Sequence, residues 1–272
     1  MEAFFLSFIF ILGLSIGSFL NVLIYRLPRS LRLTGRSFCP KCKKKISWYD
    51  NVPLLSFILL KGKCRSCHSP IGFQYPVVEL ITGILFLTTL NLIPKQAISN
   101  FQLPIAKQQA LLISSYLLIL TYYLFLISSL IVIFFIDLKH RVIPDQIIYP
   151  TILIILLYQI ISHQSLITNH FFAAFGAGLF FLILHLITRG KGMGFGDVKL
   201  AFLMGLILGP LKVIFAFYLA FLTGAFVGVI LILAKKKKFG EQIPFGPFLT
   251  GATVIALFWG EEIIRWLTAH LF

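Results

Sequence analysis

The sequence predicts an all-α polytopic membrane protein, with about eight transmembrane helices and a small cytoplasmic loop domain that carries four cysteines. Three observations predict it. The 272-residue chain is 58% hydrophobic and 12% charged, with a mean hydropathy of +0.95, whereas soluble domains carry roughly 25% charged residues. The apolar residues fall into eight runs, most long enough to cross a bilayer. Finally, Lys and Arg crowd into alternate loops, as topology signals do.

The first run, 3–24, lacks a basic stretch ahead of it and a small-residue cleavage site after it, so it reads as a retained first helix. The others are 76–93, 109–136, 147–162, 170–188, 197–209, 211–234 and 247–271. The run 109–136 exceeds the roughly 20 residues that span a hydrocarbon core, so it is tilted or extends beyond it. The run 197–209 is short and begins at a GFGD turn; such a segment is tolerated at membrane depth only against protein or a wet cavity. No internal repeat or low-complexity segment interrupts the pattern. The division is 1–24, a first helix; 25–75, an extramembrane loop; and 76–272, a transmembrane core.

Charge orients the chain. With loop 25–75 in the cytoplasm and sides alternating, 20 of the 24 Lys and Arg lie inside, and only Lys95, Lys107, Lys212 and Arg265 lie outside. Eleven of the inside group are in loop 25–75, and Lys191 and Lys235 to Lys238 add to the later loops. Both termini then face outward. The net charge of +15 serves orientation and contact with membrane lipids. It is not spread as a nucleic-acid groove requires, so no nucleic-acid partner is expected.

All four cysteines lie in the loop, as Cys39-Pro-Lys-Cys42 and Cys64-Arg-Ser-Cys67, with 21 residues between the pairs. Paired CxxC knuckles supply four thiolates, which close a tetrahedral structural Zn²⁺ shell. Lys41, Lys43, Lys44, Lys63 and Arg65 would offset its net negative charge. Disulfides are the alternative, which a reducing cytoplasm disfavours. His68 is a competing ligand, but four cysteines already fill the shell. A loop this small would draw much of its stability from the metal.

Only four aspartates occur, and two end or begin apolar runs: Asp137 in LIVIFFID and Asp197 in GMGFGDVKL. Carboxylates are costly near a bilayer and are functional by default there. The predicted topology puts both on the cytoplasmic side, at a common depth. Two carboxylates in one site share a proton, which suits acid/base hydrolysis of a peptide bond. A helix cap is the alternative role for Asp197, and the favoured one for Asp145. His140, between Lys139 and Arg141, reads as non-catalytic, and His185, within an apolar run, as a hydrogen-bonded helix residue rather than a ligand.

At these residues the chain resembles bacterial type IV prepilin peptidases. The resemblance rests on GLSIGSFLNVLIYRLP (13–28), the two CxxC motifs, NVPLLSF, KGKCRSC, YPVVEL (75–80), DLKHRVIPD, GMGFGDVKL and IPFGPFL (243–249), in that order. It implies a GxGD-type intramembrane aspartyl protease with Asp137 and Asp197 as the catalytic pair. It further implies N-methylation of the exposed residue with S-adenosylmethionine, associated with the four-cysteine loop. Implied substrates are prepilins or pseudopilins of pilus, type II secretion or competence systems, with short basic leaders cut at the inner-membrane surface. Gly62, Lys63 and Glu79 are methyl-donor candidates by motif position, and Glu79 pairing with a basic loop residue is the alternative. No glycine-rich dinucleotide fingerprint is present. Three other readings are a leader peptidase without methyl transfer, an ion transporter that uses the two acids, and a non-catalytic metal-loop scaffold.

Overall fold

A computed structural model describes residues 2–98, 108–161, 167–190, 192–236 and 243–271. Lys107, Lys191, Lys237 and Lys238, which enter the charge count, lie outside the described residues. The helices are α1 (Glu2–Arg26), α2 (Leu55–Leu59), α3 (Gln74–Ile98), α4 (Gln108–His140), α5 (Asp145–Ile161), α6 (Ile167–Ile187), α7 (Phe195–Leu233) and α8 (Gly246–Leu271). Strand pairing among the described residues is limited to two isolated bridges. The protein is an all-α polytopic membrane protein. Among the described residues, five helices are long and apolar enough to cross a bilayer, and Gln74–Leu90 and Asp145–Ile161 are shorter apolar segments.

The chain forms two compact units, Met1–Val132 and Ile133–Phe272. In the first, α1 packs on α3 through small residues. Gly13 and Gly17 lie four apart on one face of α1. A Cβ on Gly13 would stand 2.7 Å from the Gly83 Cα, and one on Gly17 2.7 Å from the Glu79 Cα. In lipid, helix association depends on such close backbone approach rather than on the hydrophobic effect. Asn21 then donates to the Tyr75 carbonyl at 3.0 Å. Pro28 follows α1, and the buried Arg26 guanidinium gathers the carbonyls of residues 32–36, with Arg32, Leu33 and Thr34 at 2.9–3.1 Å. One side chain thus satisfies the backbone of the segment leading into the cysteine loop.

In the second unit α7 packs against α6, α8 and α5. The runs 197–209 and 211–234 appear as one helical stretch broken at Gly209 (φ 71°, ψ −177°) and Pro210. The break has a defined cause. Pro210 has no N–H for the carbonyl four residues earlier, that of Leu206. That carbonyl is taken by Gln159 Nε2 of α5 at 3.0 Å and His170 Nδ1 of α6 at 2.8 Å. A polar backbone group freed in an apolar setting therefore keeps its partners. A Cβ on Gly209 would press on the His170 ring at 3.3 Å, so glycine serves both the positive φ and the close approach. The ends of α4 and α6 close through left-handed residues, Arg141 (φ 54°), and Arg189 and Gly190 (φ 49° and 72°).

Candidate active site and metal centre

Asp137 lies in the last turn of α4, and Asp197 in the first turn of α7. Both are buried, at 5% and 8% exposure. Each carboxylate meets the amino end of a helix. The Gly246 N–H, at the start of α8, donates to Asp137 Oδ2 at 3.0 Å. The Gly194 N–H donates to Asp197 Oδ2 at 3.1 Å, which closes a capping box on α7. Helix amino ends carry partial positive charge and orphan N–H groups, so both suit carboxylates. The two acids lie within electrostatic reach of each other. The glycine at 246 is required sterically, since a Cβ there would fall 2.6 Å from Asp137 Oδ2. Gly196 packs on Ile143, with 3.1 Å from its virtual Cβ to the Ile143 Cβ, which seats the GxGD turn on the segment after Asp137.

A third side chain reaches this turn. His185 Nδ1 lies 2.8 Å from the Met193 carbonyl, and because a carbonyl only accepts, Nδ1 carries the proton. The Met193 carbonyl and the Gly194 N–H belong to one planar peptide. His185 therefore grips one end of the peptide whose other end holds Asp197. The sequence reading of His185 as a hydrogen-bonded helix residue stands, but its partner was not visible there. Asp145, expected to cap α5, begins that helix and pairs with Lys199 of α7 at 2.6 Å.

In the first unit, the four cysteine sulfurs lie within 4.8 Å of one another, and His68 is not among the clustered groups. The two knuckles repeat one hydrogen-bond pattern. The Lys43 N–H donates to the Cys39 carbonyl at 2.8 Å and the His68 N–H to the Cys64 carbonyl at 2.9 Å, with Lys43 and His68 both left-handed (φ 57° and 53°). Cys39 and Cys67 stand 3.8 Å apart, too far for a disulfide. That separation matches the edge of a tetrahedron with metal–sulfur bonds of about 2.3 Å, which is about 3.8 Å. The Ser69 hydroxyl, 3.1 Å away, and the Ser69 N–H lower the Cys67 thiol to about 6. Cys42 is pushed up to about 11: the Lys44 N–H lowers it, but burial and the three neighbouring sulfurs outweigh that. Four thiolates this close repel without a cation, and the geometry fits a metal ion. Asp50 braces the second knuckle by a bidentate pair with Arg65, with contacts of 2.7–3.1 Å that raise the guanidinium further above its ordinary value.

Beside the cysteines is a cavity of about 380 Å³, lined in part by Ser18, Asn21, Tyr25, Lys44, Asp50 and Glu79. That is within the size range of small-molecule sites. Of the motif-position candidates, Glu79 lines this cavity, while Gly62 and Lys63 sit in the turn before Cys64 and do not. Glu79 accepts the Leu54 N–H at 2.8 Å, and among the described residues no basic side chain pairs with it. Leu54 holds a positive φ of 57°, a costly conformation for a branched residue. The bond from Glu79 secures it.

Sequence reasoning did not single out Gly246, or Arg26 as an organiser of the loop. The local signals for Gly246 were a glycine before a proline at the start of an apolar run and its place in the IPFGPFL motif.

The chain matches family models for the Bacterial Peptidase A24 N-terminal domain over residues 11–92 and for the Type IV leader peptidase family over residues 124–229. Among similar proteins is a prepilin leader peptidase/N-methyltransferase of Aeromonas hydrophila, 33% identical over 292 residues, covering 96% of this chain and 92% of the relative. Another, of Pseudomonas aeruginosa, is 32% identical over 294 residues (94% and 90%), and one of Bacillus subtilis is 30% identical over 260 residues (95% and 96%). No solved structure matches. With both models matched in order and near end-to-end similarity to these relatives, the chain belongs to the type IV leader peptidase family.

Proposed function

We propose that this protein cleaves the leader peptide from type IV prepilins or pseudopilins with Asp137 and Asp197, then methylates the new amino terminus with S-adenosylmethionine. The observation that carries the reading is the pair of buried carboxylates, each held by a glycine N–H at a helix start, within reach of one another. One carboxylate, ionised, takes a proton from water as the water attacks the scissile carbonyl. Its protonated partner donates to the carbonyl oxygen, and the proton taken from water then passes from the first carboxyl to the leaving amine. The backbone donors aim the two groups and leave their other oxygens for water and substrate.

The cysteine cluster holds one structural Zn²⁺, and transmembrane segment 76–272 carries proteolysis, while loop 25–75 serves methyl transfer. The methyl donor occupies the cavity that Glu79 lines, and Gly62 and Lys63 act by shaping the adjoining turn. In the proposed orientation the chain crosses the bacterial inner membrane eight times, counting the two parts of α7. The loop and both aspartates then face the cytoplasm, where a basic leader resides.

The direct test is incubation of the purified protein with a prepilin, with and without S-adenosylmethionine, followed by product masses. Leader loss alone without the donor, and leader loss plus about 14 Da with it, is the expected result. An intact precursor would defeat the reading. Glu79→Gln should retain cleavage and lose most methylation, because it alters the cavity while an amide oxygen still accepts the Leu54 N–H. Retention of full methylation would place the donor elsewhere.

His185 is proposed as a positioning residue for Asp197. His185→Leu should lower kcat for cleavage about tenfold with little change in KM, since a small misplacement of a reacting group is costly. His185→Asn, which keeps a donor near the Nδ1 position, should restore most of the rate. Equal losses in both variants would reduce His185 to a packing role.

A further inference from the structure

We propose that the exposed face of α2, flanked by Trp48 and Phe73, is a lipid-docking surface that rests in the headgroup boundary of the leaflet bearing loop 25–75. The face is apolar on the outside. Leu55, Ile58 and Leu59 follow i, i+3, i+4 spacing, so they share one side of the helix, and they are 54%, 69% and 71% exposed. The remaining bulky residue, Phe57, turns inward and meets the Phe73 ring at 5.7 Å. Trp48 and Tyr49 add a ring pair at 5.7 Å on the short turn Trp48–Asn51, which packs on α2. Trp48 and Phe73 are each 77% exposed. Exposed apolar patches of this kind mark an interaction surface.

Position and charge select the occupant. Phe73 immediately precedes α3, so it stands where that helix leaves the membrane, and the Phe57–Phe73 contact holds α2 at the same level. Exposed Lys61 and Lys63 follow α2 directly in the chain, and exposed Lys43, Lys44 and Lys45 lead into the Trp48 turn that packs on it. Asp50, the acid on its rim, is already neutralised by Arg65. An apolar face with lysines adjoining it in the chain on both sides, and Trp at its edge, matches an anionic leaflet. The helix is only five residues long, which does not suit packing against a partner helix. Docking would hold the cysteine lobe at the depth where a trimmed substrate exposes its amino terminus. This consequence rests on the function proposed above, whereas the docking itself does not.

Trp48 makes the proposal measurable, because the chain has three tryptophans. Trp259→Phe with Trp266→Phe leaves Trp48 alone in the full-length protein. Reconstituted into vesicles containing phosphatidylglycerol, Trp48 fluorescence should fall by about half with lipids brominated near the headgroup end of the chains, and less with bromines near the bilayer centre. The quenching should weaken in purely zwitterionic vesicles. It should also weaken on adding Ile58→Asp and Leu59→Asp, with metal content unchanged as the folding control. Unquenched Trp48 in every vesicle would overturn the proposal. So would an emission change that follows protein density, which assigns the face to a second copy. A change seen only when a prepilin is added would also overturn it, assigning the face to substrate.

Discussion

Asp137→Asn and Asp197→Asn each reduce leader removal by about three orders of magnitude or more, as expected when one member of a cooperating catalytic unit is lost. The structure explains why the fold should survive. Each carboxylate uses Oδ2 to accept one glycine N–H, from Gly246 at 3.0 Å and Gly194 at 3.1 Å. An asparagine oxygen accepts the same bond, so the starts of α7 and α8 keep their caps. What disappears is the capacity to hold and move a proton. For the same reason the wild-type rate should follow a bell-shaped pH profile, whose limbs report the pair rather than either residue. Asp145→Asn is the internal comparison. Its ion pair with Lys199 is half exposed at the carboxylate, so losing it should cost at most about 1 kcal/mol and leave cleavage near wild type. Product masses from a prepilin, with gel filtration of each variant, decide the matter. Cleavage by either Asn variant within tenfold of wild type would remove that aspartate from the catalytic pair.

Much of this arrangement was legible in the sequence because it is written in local patterns. Apolar runs give spans, CxxC spacing gives knuckles, and an acid at the end of a greasy run is conspicuous. The break in α7 was legible too, since Gly209-Pro210 ends one apolar run and begins the next. The groups that complete each site were not legible, because they come from afar. Gly246 binds Asp137 across 109 positions, and His170 and Gln159 reach the Leu206 carbonyl across 36 and 47. His185 acts through a peptide bond, so neither its spacing from Asp197 nor its chemistry announces the link. Backbone partners carry no residue-type signal, and they form only when tertiary packing brings the helices together.

The second large effect belongs to the cysteines. Cys39→Ser and Cys67→Ser should each release the proposed zinc and abolish methyl transfer, with part of the cleavage activity retained. The four sulfurs are mutually within 4.8 Å, the spacing of a single four-thiolate metal shell. Four thiolates close the shell and leave no position for an activated water, so the ion organises the loop rather than reacting. Its binding is coupled to folding and to deprotonation. The Ser69 contacts lower the Cys67 thiol to about 6, while the Cys42 thiol, pushed up to about 11, releases its proton to solvent as the metal binds. Metal affinity should therefore rise with pH through the neutral range and fall on acidification, as protons retake the thiolates. Metal analysis reads the first half: less than about half an equivalent of zinc in fully reduced wild-type protein would contradict a four-cysteine shell. Product masses read the second. The loop also contains Glu79's partner Leu54 and much of the adjoining cavity, so an unfolded loop loses the donor site, while Asp137 and Asp197 keep their own backbone donors. Full methylation by a zinc-free variant would separate the metal from methyl transfer. Complete loss of cleavage would instead mean that the loop also holds the substrate's basic leader during proteolysis.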